Sequence, residues 1–102
     1  MAIFEDALRK VPPQSLDAEE SVLGGVLLDP HALDRTIEMM GVEDFYRETH
    51  RKIFRAMLAL SEKGEPIDLI TLTDTLKARG ELQDIGGATY LAELQDLSLI
   101  HI

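Results

Sequence analysis

Residues 49–63 read THRKIFRAMLALSEK, and this stretch decides the fold class. Its apolar residues recur every three or four positions, the spacing of one face of an α-helix. The inward-facing set is Ile53, Phe54, Met57, Leu58 and Leu60. Gly64 follows, and glycine commonly ends a helix. The stretch therefore predicts an amphipathic helix from Thr49 to Lys63 that packs against a core.

Towards the N-terminus, Ser15 and the residues that follow it predict a second helix. Ser15 is placed as an N-cap, and Asp17, Glu19 and Glu20 put negative charge near the positive end of the helix. The apolar stripe consists of Val22, Leu23, Val26 and Leu27. Gly24-Gly25 lies inside this helix, where each glycine costs about 1 kcal/mol relative to alanine. We expect another helix to cross closely there; a local kink is the alternative.

Start and stop residues predict the remaining helices. Asp29-Pro30 starts a helix whose buried face is Leu33, Ile37 and Met40 and which ends at Gly41. Val42, Phe45 and Tyr46 predict a short helical turn with large anchoring side chains. After Pro66, Asp68 caps a helix that holds Leu69, Leu72 and Leu76 and ends at Gly80. The Gly86-Gly87 turn precedes a last helix with Tyr90, Leu91 and Leu94.

The predicted fold is all-α, a compact orthogonal bundle of about six short helices without strands. The count includes a short helix or arm at Ile3–Leu8, which Pro12-Pro13 ends because proline lacks an amide donor. Residues 1–14 are predicted as this arm and residues 15–97 as one domain. Residues 98–102 are interpreted as a truncated end or as a tail derived from a cloning vector.

Composition narrows the function classes. The 102 residues are 45% hydrophobic and 28% charged, which is typical of one globular domain. The formal net charge of −9 repels nucleic acid phosphates, so direct nucleic acid binding is not expected. There is no cysteine, no secretion signal and no stretch long enough to span a membrane. A cytoplasmic location is the expectation.

Enzymatic signatures are missing from the sequence. No phosphate-binding G-x-x-x-x-G-K-[ST] motif, nucleophile motif or metal-ligand spacing is present. His31, His50 and His101 have no second histidine or carboxylate at such a spacing, and His50 is expected to be packed or capping. No catalytic residue, cofactor or metal is predicted for this chain.

A basic stripe consists of Arg47, Arg51 and Arg55, with Lys52 beside it. The favoured interpretation is a solvated helix face paired with Glu43, Glu48 or another helix. The alternative is a patch for an acidic partner or a neighbouring subunit.

Several short segments follow one another in a fixed order: Pro12-Pro13-Gln14-Ser15, Asp17-Ala18-Glu19, Ser21-Val22-Leu23-Gly24, Asp44-Phe45-Tyr46, His50-Arg51-Lys52-Ile53-Phe54, residues 64–72 (GEPIDLITL) and residues 86–94 (GGATYLAEL). Together they resemble the N-terminal domain of DnaB-family replicative DNA helicases. The resemblance covers roughly residues 11–95.

The resemblance implies a role in DNA replication. In that family this domain forms a collar on a hexameric ring built as a trimer of dimers, and it docks the C-terminal domain of DnaG-type primase in the primosome. The ATP- and Mg-dependent, DNA-binding motor domain of such helicases is absent from this chain. A helicase loader or initiator is a further partner to expect.

The resemblance also implies two partner-binding residues, Asp17 and Tyr90. The structural alternatives are negative charge at a helix N-terminus for Asp17 and core packing against Leu94 for Tyr90. Family members continue into a helical hairpin that makes dimer contacts, whereas this chain stops at Ile102. We therefore expect a monomer or weak dimer.

Two other function classes are alternatives to a docking domain. A helix-turn-helix DNA-binding module over Ile67–Leu82 is the main alternative. The net charge and the absence of Lys or Arg from Leu69 to Leu76 disfavour it. An enzyme of unknown type ranks third, because no nucleophile, metal cluster or phosphate loop is present.

Overall fold

The computed structural model describes residues 15–100, and the arm predicted for residues 1–14 lies outside them. The described part contains five α-helices and one 3₁₀ turn, and no strand. The helices are α1 (Leu16–Leu28), α2 (Ala32–Met39), α3 (Glu48–Glu62), α4 (Leu69–Ala78) and α5 (Gly87–Ile100), and the 3₁₀ turn is Val42–Asp44. The predicted all-α class is confirmed, with five α-helices in this part against the predicted total of about six.

Helix α1 begins as predicted. The Ser15 side chain accepts the backbone N–H of Ala18 at 3.3 Å, which satisfies one of the free amides at the helix start. The buried face includes the predicted stripe Val22, Leu23, Val26 and Leu27. Helices α1 and α5 share the most extensive helix contact in the fold.

Gly24 lies where α5 crosses α1. A Cβ atom on Gly24 would overlap both the carbonyl oxygen of Leu94 and the Oγ atom of Ser98. Only a residue without a side chain therefore allows this approach. The expected close helix crossing is confirmed, and α5 runs through Ser98 to Ile100.

Helix α3 supplies the centre of the core. Ile53, Phe54 and Met57 are at most 1% exposed, and the rings of Phe45 and Phe54 lie 5.0 Å apart. Gly64 ends the helix with a φ of 69°, a conformation that glycine adopts without steric cost. The strongest sequence prediction thus matches the structure within one residue at each end.

The capping predicted at Asp68 is present in α4. The Asp68 carboxylate accepts the Thr71 backbone N–H at 2.9 Å, and the Thr71 hydroxyl accepts the Asp68 N–H at 3.0 Å. Gly80 follows the helix with a φ of 70°. The two capping bonds explain how a segment rich in β-branched residues starts a helix.

Several details of the short elements differ from the predictions. Helix α2 begins at Ala32 and not at Pro30, and Asp29 accepts the backbone N–H of His31 at 3.1 Å in the turn before the helix. Ile37 was placed on the buried face of α2 but is 47% exposed, while Thr36 is buried and bonds the Ala32 carbonyl at 2.9 Å. Gly41 follows α2 without the left-handed backbone of a glycine cap; its φ is −114°. Tyr46 is 59% exposed, so the turn is anchored by the buried Phe45 and by Val42, which packs partly against the core.

Candidate functional site

Two polar side chains, Glu19 of α1 and His50 of α3, face each other inside the core. Glu19 is 2% exposed and His50 is fully buried. The Nδ1 atom of His50 lies 2.7 Å from Oε1 of Glu19. The second carboxylate oxygen, Oε2, accepts the backbone N–H of Tyr46 at 2.6 Å. Both oxygens of the buried carboxylate therefore have a partner, as burial of a charged group requires.

The other ring nitrogen of His50 connects to Tyr90 of α5. Its Nε2 atom lies 2.6 Å from the phenolic oxygen, and the two rings are nearly parallel, 9° apart with centroids separated by 5.9 Å. At that separation the rings are offset, so the hydrogen bond is the main link between them. Glu19, His50 and Tyr90 form one hydrogen-bonded chain, which we call the Glu-His-Tyr chain, across three helices.

The position of one proton in this chain follows from hydrogen-bond chemistry. An ionised carboxylate can only accept, so Nδ1 of His50 carries the hydrogen that Glu19 receives. In the neutral imidazole Nε2 is then an acceptor, and the Tyr90 hydroxyl donates to it. In the imidazolium form Nε2 donates to the phenolic oxygen instead, and the hydroxyl hydrogen turns away.

The outer end of the Glu-His-Tyr chain reaches the surface beside opposite charges. Oε2 of Glu20 lies 3.2 Å from the Tyr90 oxygen. Burial raises the pKa of Tyr90 to about 12; the negative charge of Glu20 adds to the rise, and the guanidinium of Arg47 opposes it. The phenol is therefore neutral over the ordinary pH range, with a carboxylate and a guanidinium as its neighbours.

The two residues predicted as a partner surface occupy neighbouring positions. Asp17 is exposed in the first turn of α1, three residues before Glu20, whose carboxylate lies 3.2 Å from the Tyr90 oxygen. Residues three apart share one side of a helix. Both structural alternatives also describe real features, because Asp17 adds charge at a helix start and Tyr90 packs partly against the core. A partner-binding role for Asp17 and Tyr90 stays a prediction.

Three cations of the basic stripe and its neighbour, Arg51, Arg55 and Lys52, are paired within the chain, as the favoured interpretation predicted. The Arg51 guanidinium donates through Nε to the Phe45 carbonyl at 2.6 Å and lies 3.6 Å from the Glu48 carboxylate. Arg55 pairs with the same carboxylate at 3.5 Å. Lys52 lies 3.1 Å from Asp84. These cations are used within the chain, which weakens the alternative of a free basic patch.

The sequence contains a signal for the burial of Glu19 and His50. Glu19 extends the apolar stripe of α1 backwards at a spacing of three or four residues, and it is in the first turn as predicted but points into the core. His50 extends the stripe of α3 in the same way. Each of the two helices thus has one polar residue on its buried face. Because buried polar groups need hydrogen-bond partners, this pattern predicts that the two residues contact each other. The expectation that His50 is packed is confirmed.

Other kinds of site are not seen among residues 15–100. No group of three or more His, Cys, Asp or Glu side chains within that range could hold a metal ion. Within the same range, no helix is both long enough and apolar enough to cross a membrane. The distinctive chemistry of the described structure is thus the Glu-His-Tyr chain.

Comparison with known proteins decides the family. Residues 11–100 match the family model described as the DnaB-like helicase N terminal domain. The chain belongs to this family. The resemblance inferred from short motifs is therefore confirmed, and the family concerned is that of replicative DNA helicases.

Individual relatives agree with the family match. The replicative DNA helicase DnaB of Geobacillus stearothermophilus is 53% identical over 87 residues, which is 85% of this chain and 19% of the relative. The replicative DNA helicase DnaC of Bacillus subtilis (strain 168) is 44% identical over 85 residues, or 83% of this chain and 19% of the relative. The chain thus spans about a fifth of the length of these relatives.

A solved structure agrees at the level of the fold. The crystal structure of the N-terminal domain of DnaB helicase from Mycobacterium tuberculosis has a TM-score of 0.81 and 45% sequence identity to this chain. The match covers 84% of this chain and 60% of that one. At this identity the arrangement of the helices and the family are the same in both.

Proposed function

We propose that this chain is the non-catalytic docking and collar domain of a replicative DNA helicase. It would bind the helicase-binding domain of primase in the primosome and help the hexameric ring to assemble. Family membership supports the helicase part of this proposal. The docking part is supported by the position of Tyr90. Its phenol lies at the surface between charged side chains, and its hydroxyl contacts the buried His50.

The chemistry of this surface suits a basic protein partner. Asp17 and Glu20 contribute carboxylates on one side of α1, and the phenol of Tyr90 offers an apolar face with a polar tip. Tyrosines in such settings often dominate the binding energy of an interface. The net charge of −9 adds long-range attraction for a basic partner. No cofactor or metal takes part in the proposed docking.

A DNA-binding role has less support. Helix α4 occupies the segment considered as a recognition helix, and its exposed positions include Ile70 and Asp74 beside Lys77. A recognition helix needs several cationic contacts to phosphate. A salt-sensitive gel shift by this chain would favour DNA binding over protein docking.

Calorimetric titration with the C-terminal domain of a cognate primase tests the docking proposal. Asp17→Ala and Tyr90→Ala are expected to weaken saturable binding, the latter by about tenfold or more if Tyr90 is a binding hot spot. Asp34→Ala is the matched control, because Asp34 is also an exposed carboxylate in the first turn of a helix. Wild-type affinity in both test variants, or equal loss in the control, would argue against this surface.

Self-association is the second part of the proposal. We propose a hexamer built as a trimer of dimers for the parent protein, and a monomer or weak dimer for this chain alone. Sedimentation velocity over a range of concentrations tests the second statement. A stable hexamer of the isolated chain would contradict it.

A further inference from the structure

The Tyr90 hydroxyl is held from the inside of the protein. Its nearest polar partner is Nε2 of the fully buried His50, at 2.6 Å, whereas the Glu20 carboxylate outside lies farther away, at 3.2 Å. The Glu19 carboxylate fixes a hydrogen on the opposite nitrogen of the same imidazole. Buried side chains thus set the orientation of a hydroxyl that sits at the surface.

We propose that Glu19 and His50 are positioning residues that keep the Tyr90 hydroxyl donating inward, so that the phenolic oxygen and the Glu20 carboxylate form a paired acceptor for a cationic side chain of a docking partner. This inference rests on the docking role proposed above, and it adds the chemical class of the group that is recognised: a lysine ammonium or an arginine guanidinium.

The donor and acceptor inventory leads to this assignment. A phenol has one hydrogen to donate and lone pairs that accept. When the hydrogen goes to Nε2 of a neutral His50, only acceptor capacity faces outward. The Glu20 carboxylate at 3.2 Å is also within reach of a hydrogen bond donated by the hydroxyl, but the hydroxyl has one hydrogen and its contact with Nε2, at 2.6 Å, is the shorter. With that hydrogen directed inward, the phenolic oxygen and the Glu20 carboxylate are two neighbouring acceptors, which a donor that carries positive charge can bridge.

The chain itself places a cation next to this acceptor pair. The guanidinium of the exposed Arg47 lies near enough to the phenol of Tyr90 to act on it electrostatically. Arg47 thus resembles the proposed partner group and would compete with it. This neighbourhood argues that the outer side of Tyr90 accepts cations rather than anions.

Side chains from three neighbouring elements face His50. They are Glu19 from α1, Tyr90 from α5 with Glu20 behind it, and the ring of Phe45 at 6.4 Å from the turn before α3. Glu19 accepts a hydrogen bond from Nδ1 of His50 whether the imidazole is neutral or protonated. The direction of the phenol hydrogen therefore depends only on whether Nε2 accepts or donates.

Nitrogen-15 NMR of the histidine side chains tests the positioning without any partner. From the contacts of its two ring nitrogens, we expect His50 to show a hydrogen on Nδ1, facing Glu19, and an acceptor signal at Nε2, facing Tyr90. In Tyr90→Phe the Nε2 signal should move while Nδ1 keeps its hydrogen. The inference would be overturned if Nε2 of His50 carried a hydrogen. It would also be overturned if the Nε2 signal were the same in Tyr90→Phe as in the wild type.

Measured affinity for the primase C-terminal domain tests whether a cationic side chain of the partner contacts Tyr90 and Glu20. Tyr90→Phe keeps the ring and removes only the hydroxyl, and Glu20→Gln removes one charge; each should weaken binding about tenfold, as expected for a hydrogen bond to a charged group. The double variant should lose less than the product of the two, because both contact one group. Asp34→Asn, an exposed carboxylate elsewhere, should bind like the wild type.

Arg47→Gln distinguishes a cationic side chain of the partner from an anionic one at this surface. Removal of a competing guanidinium should leave binding unchanged or make it tighter, whereas weaker binding would overturn the cation assignment. Wild-type affinity of Tyr90→Phe together with loss in Tyr90→Ala would also overturn it, since the ring alone would then be the contact. If wild type fails to bind primase at all, the docking proposal fails, and the NMR result still decides whether His50 positions Tyr90.

Discussion

The carbonyl oxygen of Leu94 in α5 occupies the space into which a side chain on Gly24 of α1 would project. A backbone atom cannot rotate away as a flexible side chain can, so the contact fixes how closely the two helices approach. The same crossing brings Tyr90, one turn before Leu94, to its place beside Glu20. Close packing at Gly24 and the position of the candidate site are thus linked through one pair of helices.

Gly24→Ala is expected to destabilise the fold. Overpacking of a filled core costs about 1–3 kcal/mol, and this outweighs the gain of about 1 kcal/mol that alanine brings to a helix interior. The free energy of unfolding from urea titration measures the net effect. A variant as stable as the wild type would contradict the close crossing.

Gly80 provides a contrasting glycine for that experiment. Open space surrounds the position of its missing Cβ, but its φ is 70°. Gly80→Ala should therefore cost about 1–2 kcal/mol through backbone strain alone. Gly80→Asn should recover part of this loss because asparagine tolerates the left-handed conformation. No such recovery is expected for any side chain at Gly24.

Glu19→Gln should destabilise the protein more than Glu20→Gln. Glu19 receives two N–H donors, from His50 and from the Tyr46 backbone, whereas glutamine has only one carbonyl oxygen to accept them. One buried donor then faces an amide NH₂, at a cost of about 1–3 kcal/mol. Glu20 is only partly buried, so its substitution should cost less than about 1 kcal/mol. Equal losses in urea titrations would contradict the importance of the buried pair.

Spectrophotometric titration can isolate the phenol of Tyr90. The chain has two tyrosines, and Tyr46→Phe removes the exposed one. The remaining phenol should ionise with a pKa of about 12, and Glu20→Gln should lower that pKa because a neighbouring negative charge is lost. A pKa near 10, the usual value for tyrosine, would contradict the burial of this hydroxyl.

The same pKa predicts how stability depends on alkaline pH. Tyr90 holds its proton in the folded state up to about pH 12, whereas an unfolded tyrosine loses it near pH 10. The unfolded state therefore binds fewer protons between these values, and stability falls as pH rises through that window. The contribution is fully present below pH 10. Urea titrations should show that the free energy of unfolding of Tyr90→Phe falls less over this pH range than that of the wild type.

Arg51→Ala should destabilise the fold more than Arg55→Ala. Arg51 donates to the carbonyl of the buried Phe45 at 2.6 Å, a bond worth about 1 kcal/mol or more. Arg55 makes an exposed ion pair at 3.5 Å, which contributes less than about 0.5 kcal/mol. Salt should reduce the effect of Arg55→Ala and leave that of Arg51→Ala largely unchanged. The reverse order would show that charge, not the carbonyl contact, dominates this face.

Much of the local structure was predictable because its signals lie within a few residues of one another. Ser15 and Asp68 cap the helices that follow them, and Gly64 and Gly80 end the helices before them. The apolar spacing of α3 identified its buried face. Where the local signal was weak the prediction failed, as for Ile37 in the eight-residue helix α2, which lies exposed while Thr36 is buried.

The candidate site was predictable only in part. Resemblance pointed to Asp17 and Tyr90, and the structure places them near each other beside Glu20, while their role in binding is still to be tested. The chain through Glu19 and His50 was not predicted. Each lies on the apolar face of its helix, which indicated a buried partner but not which one.

By itself, the sequence determined the all-α class, the bounds of α3, the starts of α1 and α4, and the family, since caps, glycine stops, apolar spacing and motif order are properties of neighbouring residues. Tertiary structure decided which polar groups meet. Glu19 and His50 are 31 residues apart, and His50 and Tyr90 are 40 apart. Their contacts depend on how closely and at what angle the helices cross, which the packing at Gly24 and in the core sets, and no local pattern specifies that geometry.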